Sequence, residues 1–262
     1  MNRIMHTASS GMTAQQLNVD NIANNLANVN TPGYKKSRIE FQDLLYQTVR
    51  PAGSETLGET EAPTELQVGC GTRPVATTKL YSQGEIVETG NPLDMAIQGD
   101  GFFQIRLPDG AEAYTRDGSF KISEDGKIVN SDGFILEPEI TIPLDTVGIV
   151  ISRDGLMSAY ISGVTEPQEI GQIELVKFIN PAGLKNIGHN LYQRTPASGE
   201  YTFGNPATEG FGSVEQMYLE TSNVDVVEEM VNMIVAQRAY EINSKVIKTA
   251  DDMMALTNRL KG

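Results

Sequence analysis

The chain has no tryptophan, one cysteine, two histidines and no long apolar run. Each shortage closes a class of function. Aromatic residues make up 6% of 262 residues, too few for the stacking platforms of a sugar-cleaving cleft, although carboxylate pairs are plentiful. The single thiol, Cys70, lies in Val68-Gly69-Cys70-Gly71 and can form neither an internal disulfide nor a CxxC site. It reads as structurally incidental. His6 and His189 are far apart and no HExxH is present, so zinc is not expected. GxSxG, Walker A and GxGxxG patterns are also missing. These absences predict no catalytic residues, no metal and no cofactor.

The best apolar run, Met230–Ala236, is short and contains Asn232, well below the roughly 20 residues that cross a bilayer. Met1 to Ala14 is mostly small and polar and lacks a signal-peptide core. The expectation is no membrane insertion, and either a cytosolic protein or one that leaves without a cleavable signal.

Net charge is −14. Residues 1–38 carry +3 and residues 221–262 carry −1, which leaves −16 in the middle. Such an acidic surface repels phosphate backbones, so nucleic acid is not an expected partner. Near-neutral ends suit helices that become buried by protein.

Both ends show helical spacing. Met5, Ala8, Met12, Gln15, Val19, Ile22, Leu26 and Val29 alternate in steps of three and four, which predicts a helix over 4–29 with a two-position seam. Thr31-Pro32-Gly33 ends it. Val235, Ala239, Ile242, Val246, Thr249, Met253, Leu256 and Leu260 repeat the pattern and predict a helix over 223–261. Ser222 with Asp225 reads as its capping box. At 1.5 Å per residue this helix is on the order of 55 Å long, more than a small domain spans.

The middle differs. Asp-Gly pairs at 100–101, 109–110, 117–118, 125–126, 132–133 and 154–155 separate short apolar segments. Asp-Gly favours the positive-φ turns of hairpins, and none of the pairs has EF-hand spacing. A meander of short antiparallel strands is expected, with further strands at 147–152 and 171–178. Residues 50–74 read as a linker or ordered arm, and 195–213 as a loop.

Asn18–Asn30 holds six Asn in thirteen residues. At about 0.6 kcal/mol each relative to Ala, these oppose the helix by roughly 4 kcal/mol. So short a helix is marginal alone and should order only when packed, with Asn amides bonding across a tight helix pair.

Ala23-Asn-Asn-Leu-Ala-Asn-Val-Asn-Thr-Pro-Gly-Tyr-Lys35, preceded by Ser9-Ser-Gly-Met12, resembles the N-terminal signature of the bacterial flagellar basal-body rod and hook protein family. Gly90–Phe103 resembles its central motif. Leu219-Glu-Thr-Ser-Asn-Val224, Glu229-Met230 and Gln237-Arg-Ala-Tyr-Glu-Ile-Asn243 resemble its C-terminal motif. The length and the stretch 46–74 fit the distal-rod branch, with a proximal rod or hook-type axial subunit as the alternative. A cell-wall hydrolase is the competing class.

The resemblance implies an α+β fold whose N- and C-terminal helices form an antiparallel coiled coil, with a central all-β domain of short antiparallel strands. Residues 1–33 with 222–262 would form a helical inner tube, 34–74 with 207–221 a connector, and 75–206 the outer domain. The implied function is a structural subunit that polymerises helically into a hollow, torque-transmitting shaft. Implied partners are copies of itself, other rod proteins, hook protein, the surrounding P and L rings and the flagellar export apparatus. The expected assembly residues are Met5, Ala8, Met12, Val19, Ile22, Leu26 and Val29 against Val235, Ala239, Ile242, Val246, Met253, Leu256 and Leu260. The motif adds Asn24, Asn25, Leu26, Asn28, Thr31, Gly33, Tyr34, Asn223, Gln237, Arg238, Tyr240 and Asn243. Side chains outside the two seams, such as Ile247 and Met254, are expected to meet neighbouring subunits.

Overall fold

The structure is a computed structural model and describes residues 2–52, 55–56, 60–61, 64–163, 166–208 and 210–261. Residues 2, 55–56, 60–61 and 260–261 are described by backbone alone. The chain divides into two compact units. The helical unit comprises Met1–Ala27, Ser37–Thr78 and Asp225–Gly262, and the β unit comprises Asn28–Lys36 and Lys79–Val224.

Two helices dominate the helical unit, α1 (Asn2–Ala27) and α2 (Val226–Lys261). They run antiparallel: Asn25 bonds Glu229 near one end, and Gly11 lies against Asn243 further along. The cap of α2 is Asp225, whose Oδ1 accepts the N–H groups of Val227 at 2.8 Å and Glu228 at 3.0 Å. This corrects the Ser222 assignment. Ser222 Oγ accepts from Val224 one turn earlier, whereas a cap must reach the donors at the second and third helical positions.

Strand Ser37–Asp43 pairs with Thr72–Lys79 and lies beside α1. Asn21 and Asn25 each donate an amide to the Ser37 carbonyl, at 2.8 and 2.9 Å, and Asn25 Oδ1 accepts the Ser37 N–H at 2.9 Å. Asn21 and Asn25 of the Asn row thus bond to strand backbone, and Asn25 also bonds Glu229 of α2 at 3.2 Å. Beyond the strand, Gln47–Arg50 pairs with Leu66–Val68, and Glu55–Thr56 with Thr60–Glu61. The stretch read as a linker or arm is thus a two-stranded ribbon in its described residues. Arg3 anchors its base through Gln47 at 2.8 Å.

In the β unit, strand Phe102–Arg106 is central to a nine-stranded sheet. Glu112–Thr115 pairs along one edge, while Ile135–Glu137 and Leu175–Phe178 share the other. Strand alternation sends Phe103 and Ile105 into one core with Met95, Ile97, Leu136, Met157 and Leu175. Phe102 points into a second, with Tyr114, Val176, Phe178 and Tyr192. A strand buried on both faces needs consecutive apolar residues, which accounts for Phe102-Phe103.

Four Asp-Gly pairs make hairpin turns with positive φ, at Gly110, Gly126, Gly133 and Gly155. The simple meander is nevertheless corrected, because Leu175–Phe178 returns from far along the chain to join the central strand. The segment 171–178 splits into Gln168–Gln172 and Leu175–Phe178, where Ile173 donates to the Gly155 carbonyl. The loop expected at 195–213 contains strand Tyr201–Gly204, paired with Leu175–Phe178. Close to the end of the unit, Ser213–Gln216 pairs with Met95–Gln98 and Tyr218–Glu220 with Ile86–Glu88.

Candidate functional site

The two seams read from the sequence fall differently on the two helices. On α1, Ala8 and Ile22 are buried, and Met5, Met12, Val19 and Leu26 are half-buried. Val29 lies past the helix end, in the β unit. On α2, Val235 is 62% exposed, Ile242 60% and Leu256 58%, and Val246 and Met253 are also exposed. Ala239 is half-buried, and the Leu260 side chain lies outside the described residues.

The inward face of α2 instead carries buried Glu229, Ala236 and Ala250, with half-buried Met233, Asn243, Ile247 and Met254. The two registers differ by one residue at the heptad positions, about 100° around the helix. On the α2 side the expected seam against α1 is therefore corrected: Ile247 and Met254 pack inward, and Val235, Ile242, Val246, Met253 and Leu256 do not. The physical reason is side-chain size. Gly11, where an added Cβ would sit only 3.0 Å from Asn243 Nδ2, and Ala8, Ala236 and Ala250 let the backbones approach closely. The bulkier aliphatics remain outside.

α2 thus has two apolar faces. The outward one runs through Val227, Val231, Ile234, Ile242, Met253 and Leu256. A long exposed apolar face of this kind marks a protein interaction surface. No helix among the described residues is long and apolar enough to cross a membrane.

The β unit holds a buried ion cluster. Lys35 Nζ donates to Glu220 Oε1 at 2.6 Å and to the Ser82 carbonyl at 2.9 Å. Arg116 Nη1 reaches Glu220 Oε2 at 3.3 Å, and Arg116 Nη2 reaches the Gly99 carbonyl at 2.6 Å. Gly84 N–H also donates to Glu220 Oε1, at 2.8 Å. Lys35 and Glu220 side chains are fully buried and Arg116 is 4% exposed. Burial pushes Lys35 below the ordinary ammonium range, against the attraction of Glu220. Lys79 donates to the Lys35 carbonyl at 2.8 Å and stacks over Tyr34 at 4.2 Å, and burial lowers it to about 8.

The motif residues serve these two constructions. Gly33 has φ +68°, and a Cβ there would sit 2.5 Å from the Asp117 nitrogen. Its N–H bonds the Glu220 carbonyl at 2.8 Å. Asn28 and Thr31 close the preceding turn through Thr31 Oγ1 to Asn28 Oδ1 at 3.3 Å. Asn223 Oδ1 accepts the Lys36 N–H at 2.7 Å, its amide donates to the Leu80 and Ser82 carbonyls, and its N–H reaches the Tyr34 carbonyl. Asn25 ties α1 to Ser37 and Glu229. Asn24, Gln237, Arg238 and Tyr240 are exposed on their helices, Arg238 pairing with Glu241 at 2.8 Å. Sequence reasoning missed Lys35, Arg116 and Glu220. Lys35 stands inside the N-terminal motif and Glu220 inside the C-terminal one, but nothing in the charge pattern marks either as buried.

Three family descriptions match in chain order. Residues 5–35 match "Flagella basal body rod protein", 96–159 match "Flagellar hook protein FlgE/F/G D1 domain", and 215–260 match "Flagellar basal body rod FlgEFG protein C-terminal". The chain is 52% identical over its whole length to the flagellar basal-body rod protein FlgG of Borreliella burgdorferi, covering 99% of that protein. It is 49% identical to FlgG of Caulobacter vibrioides over 98% of each chain, and 40% identical to FlgG of Bacillus subtilis over 100% of each. The chain belongs to the FlgG family of flagellar basal-body rod proteins. FlgG proteins are structural subunits of the distal rod rather than enzymes, and associate with other basal-body components. The family matches fall on α1, on the β unit and on α2.

Proposed function

We propose that the chain assembles helically, through the outward face of α2, into the hollow and rigid distal part of the flagellar rod. The observation that carries this reading is the exposed stripe from Val227 to Leu256 on a helix whose other face is already packed. One surface meeting a different surface on the next copy builds an open filament when rotation and rise do not close. Burying the rest of each half-exposed aliphatic contributes about 1 kcal/mol per side chain, repeated at every neighbour.

In this assembly, residues 1–33 with 222–262 line the tube, 34–74 with 207–221 connect, and 75–206 face outward. The shaft lies in the periplasm, transmits torque and continues into the hook. Its partners are other rod proteins, hook protein, the P and L rings outside and the export apparatus, through which the chain leaves without a cleavable signal. The ribbon at 46–74, with exposed Tyr46, Val49 and Leu66, lies over a neighbouring copy and stiffens the shaft.

The deciding experiment is electron microscopy of concentrated purified protein. Wild type forms filaments, and Ile242→Asp stays monomeric with an unchanged circular dichroism spectrum. Filaments from the Ile242→Asp protein would remove α2's outward face as the assembly surface.

A further inference from the structure

We propose that Asp109-Gly110 is a site of covalent ageing, where the aspartate isomerises through a cyclic imide. The Gly110 nitrogen attacks Cγ of the protonated Asp109 carboxyl. An N–C bond forms, the C–OH bond breaks, and the hydroxyl leaves as water with the amide proton. Water then adds to the Asp109 main-chain carbonyl carbon and breaks its bond to the Gly110 nitrogen. The main chain now runs through the side-chain carbonyl, longer by a methylene, and the former main-chain carbonyl is a free carboxylate. One water leaves and one enters, so no oxidant or co-reactant is needed.

Local chemistry alone would age the six Asp-Gly pairs alike, because glycine has no Cβ to shield its nitrogen. The fold separates them. At Gly110, Gly126, Gly133 and Gly155 the N–H donates back to a carbonyl three residues earlier, so ring closure needs the turn to open.

Four of the six pairs are pinned by a distant segment. The Asp100 carbonyl accepts the Gly212 N–H at 2.8 Å, and the Gly118 carbonyl accepts the Met95 N–H at 3.0 Å. The Gly126 carbonyl accepts from Ile142 at 2.8 Å and the Gly155 carbonyl from Ile173 at 2.9 Å. A Cβ on Gly118, Gly126 or Gly155 would sit 1.6, 2.6 or 2.8 Å from the backbone oxygen of Met95, Ile142 or Ile173. At Gly133 the surroundings are open, but Asp132 is anchored to His189 Nδ1 at 3.3 Å.

The turn at 107–111 is closed only on itself. Leu107 N–H donates to the Ala111 carbonyl at 2.9 Å, Gly110 N–H to the Leu107 carbonyl at 2.9 Å, and Ala111 N–H to Asp109 Oδ1 at 3.0 Å. Among the described residues no hydrogen bond reaches Asp109 or Gly110 from another segment. Both are exposed, and nothing lies within 4 Å of a Cβ on Gly110. A hairpin tip held this way opens without disturbing the strands it joins, Phe102–Arg106 and Glu112–Thr115. The site does not depend on the rod reading.

The test incubates the full-length wild-type protein in warm, weakly acidic buffer and locates isoaspartate by mass spectrometry with electron-transfer fragmentation. Isoaspartate is expected first at Asp109, about tenfold faster than at the four pinned pairs, the factor that one more hydrogen bond to break implies. Asp132 is expected between them. In guanidinium chloride the order is expected to collapse, because only the fold distinguishes the pairs. Accumulation at any other pair equal to or ahead of Asp109 in the folded protein overturns the proposal, as does none at Asp109. An order that persists in denaturant overturns the assignment to the fold. Neither result needs a variant to fold.

Discussion

Lys35 and Glu220 stand 185 residues apart in the chain and meet at 2.6 Å with neither side chain reaching solvent. Glu220 also holds Arg116, so the three positions are not equivalent. Glu220→Ala strands two buried cations and should cost about 3–5 kcal/mol. Lys35→Met leaves Glu220 paired with Arg116 and should cost about 1–3 kcal/mol. Urea unfolding followed by tyrosine fluorescence measures both. An equal loss from the two variants would mean that Arg116 does not share the carboxylate.

Gly33 is the turn on which this arrangement depends. Its φ is +68° and the Asp117 nitrogen occupies the space of a Cβ. Gly33→Ala should cost at least about 2 kcal/mol. Gly110 also has positive φ but has nothing within 4 Å of a Cβ, so Gly110→Ala should cost less. Thermal unfolding of the two variants side by side checks the order.

The two faces of α2 should separate under mutation. Ala236 is 1% exposed on the inward face, and Ala236→Leu overpacks it at about 1–3 kcal/mol, loosening α1 from α2. Val235→Asp, one residue away, should leave the monomer's melting temperature within about 2 °C and abolish filaments. Calorimetry and sedimentation read these outcomes independently.

Alkali should stabilise the protein before it destabilises it. Lys79 is depressed to about 8 and Lys35 is also lowered, both by burial. Between pH 8 and their ordinary value near 10.5, the unfolded chain binds more protons, so stability rises with pH. Tyr81, Tyr114 and Tyr192 are all raised by burial above their ordinary 10.0. Past pH 10 the unfolded chain loses their protons while the folded one keeps them, and stability falls. Lys79→Met should give a shallower rise and the same fall in melting temperature. Comparison with that variant removes the background of overall charge repulsion.

Deleting residues 46–74 should yield a filament that bends more readily in electron micrographs. An equally straight filament would leave the ribbon without a stiffening role.

Much of this architecture was legible in the sequence, for a physical reason: helix periodicity and Asp-Gly turns are local. The steps of three and four located α1 and α2 to within three residues at either end, and four Asp-Gly pairs became hairpin turns. What was not legible depends on distant partners. Two apolar stripes on α2 compete for α1, and the more aliphatic one looked stronger. The stripe holding Ala236, Asn243 and Ala250 packs inward, with Asn243 against Gly11 of α1, a fit that cannot be seen from α2 alone. Likewise Lys35, Arg116 and Glu220 look like ordinary surface charges until the chain brings them together.

The pairing of Tyr218–Glu220 with Ile86–Glu88, and of Glu220 with Lys35, has a kinetic consequence. A ribosome adds about 5–20 residues per second, and domains commonly close as they emerge. Here the carboxylate that completes the β unit emerges only after most of the polypeptide has been translated. Until then the nascent chain lacks the counter-ion for two buried cations, so the β unit is expected to close only late in synthesis.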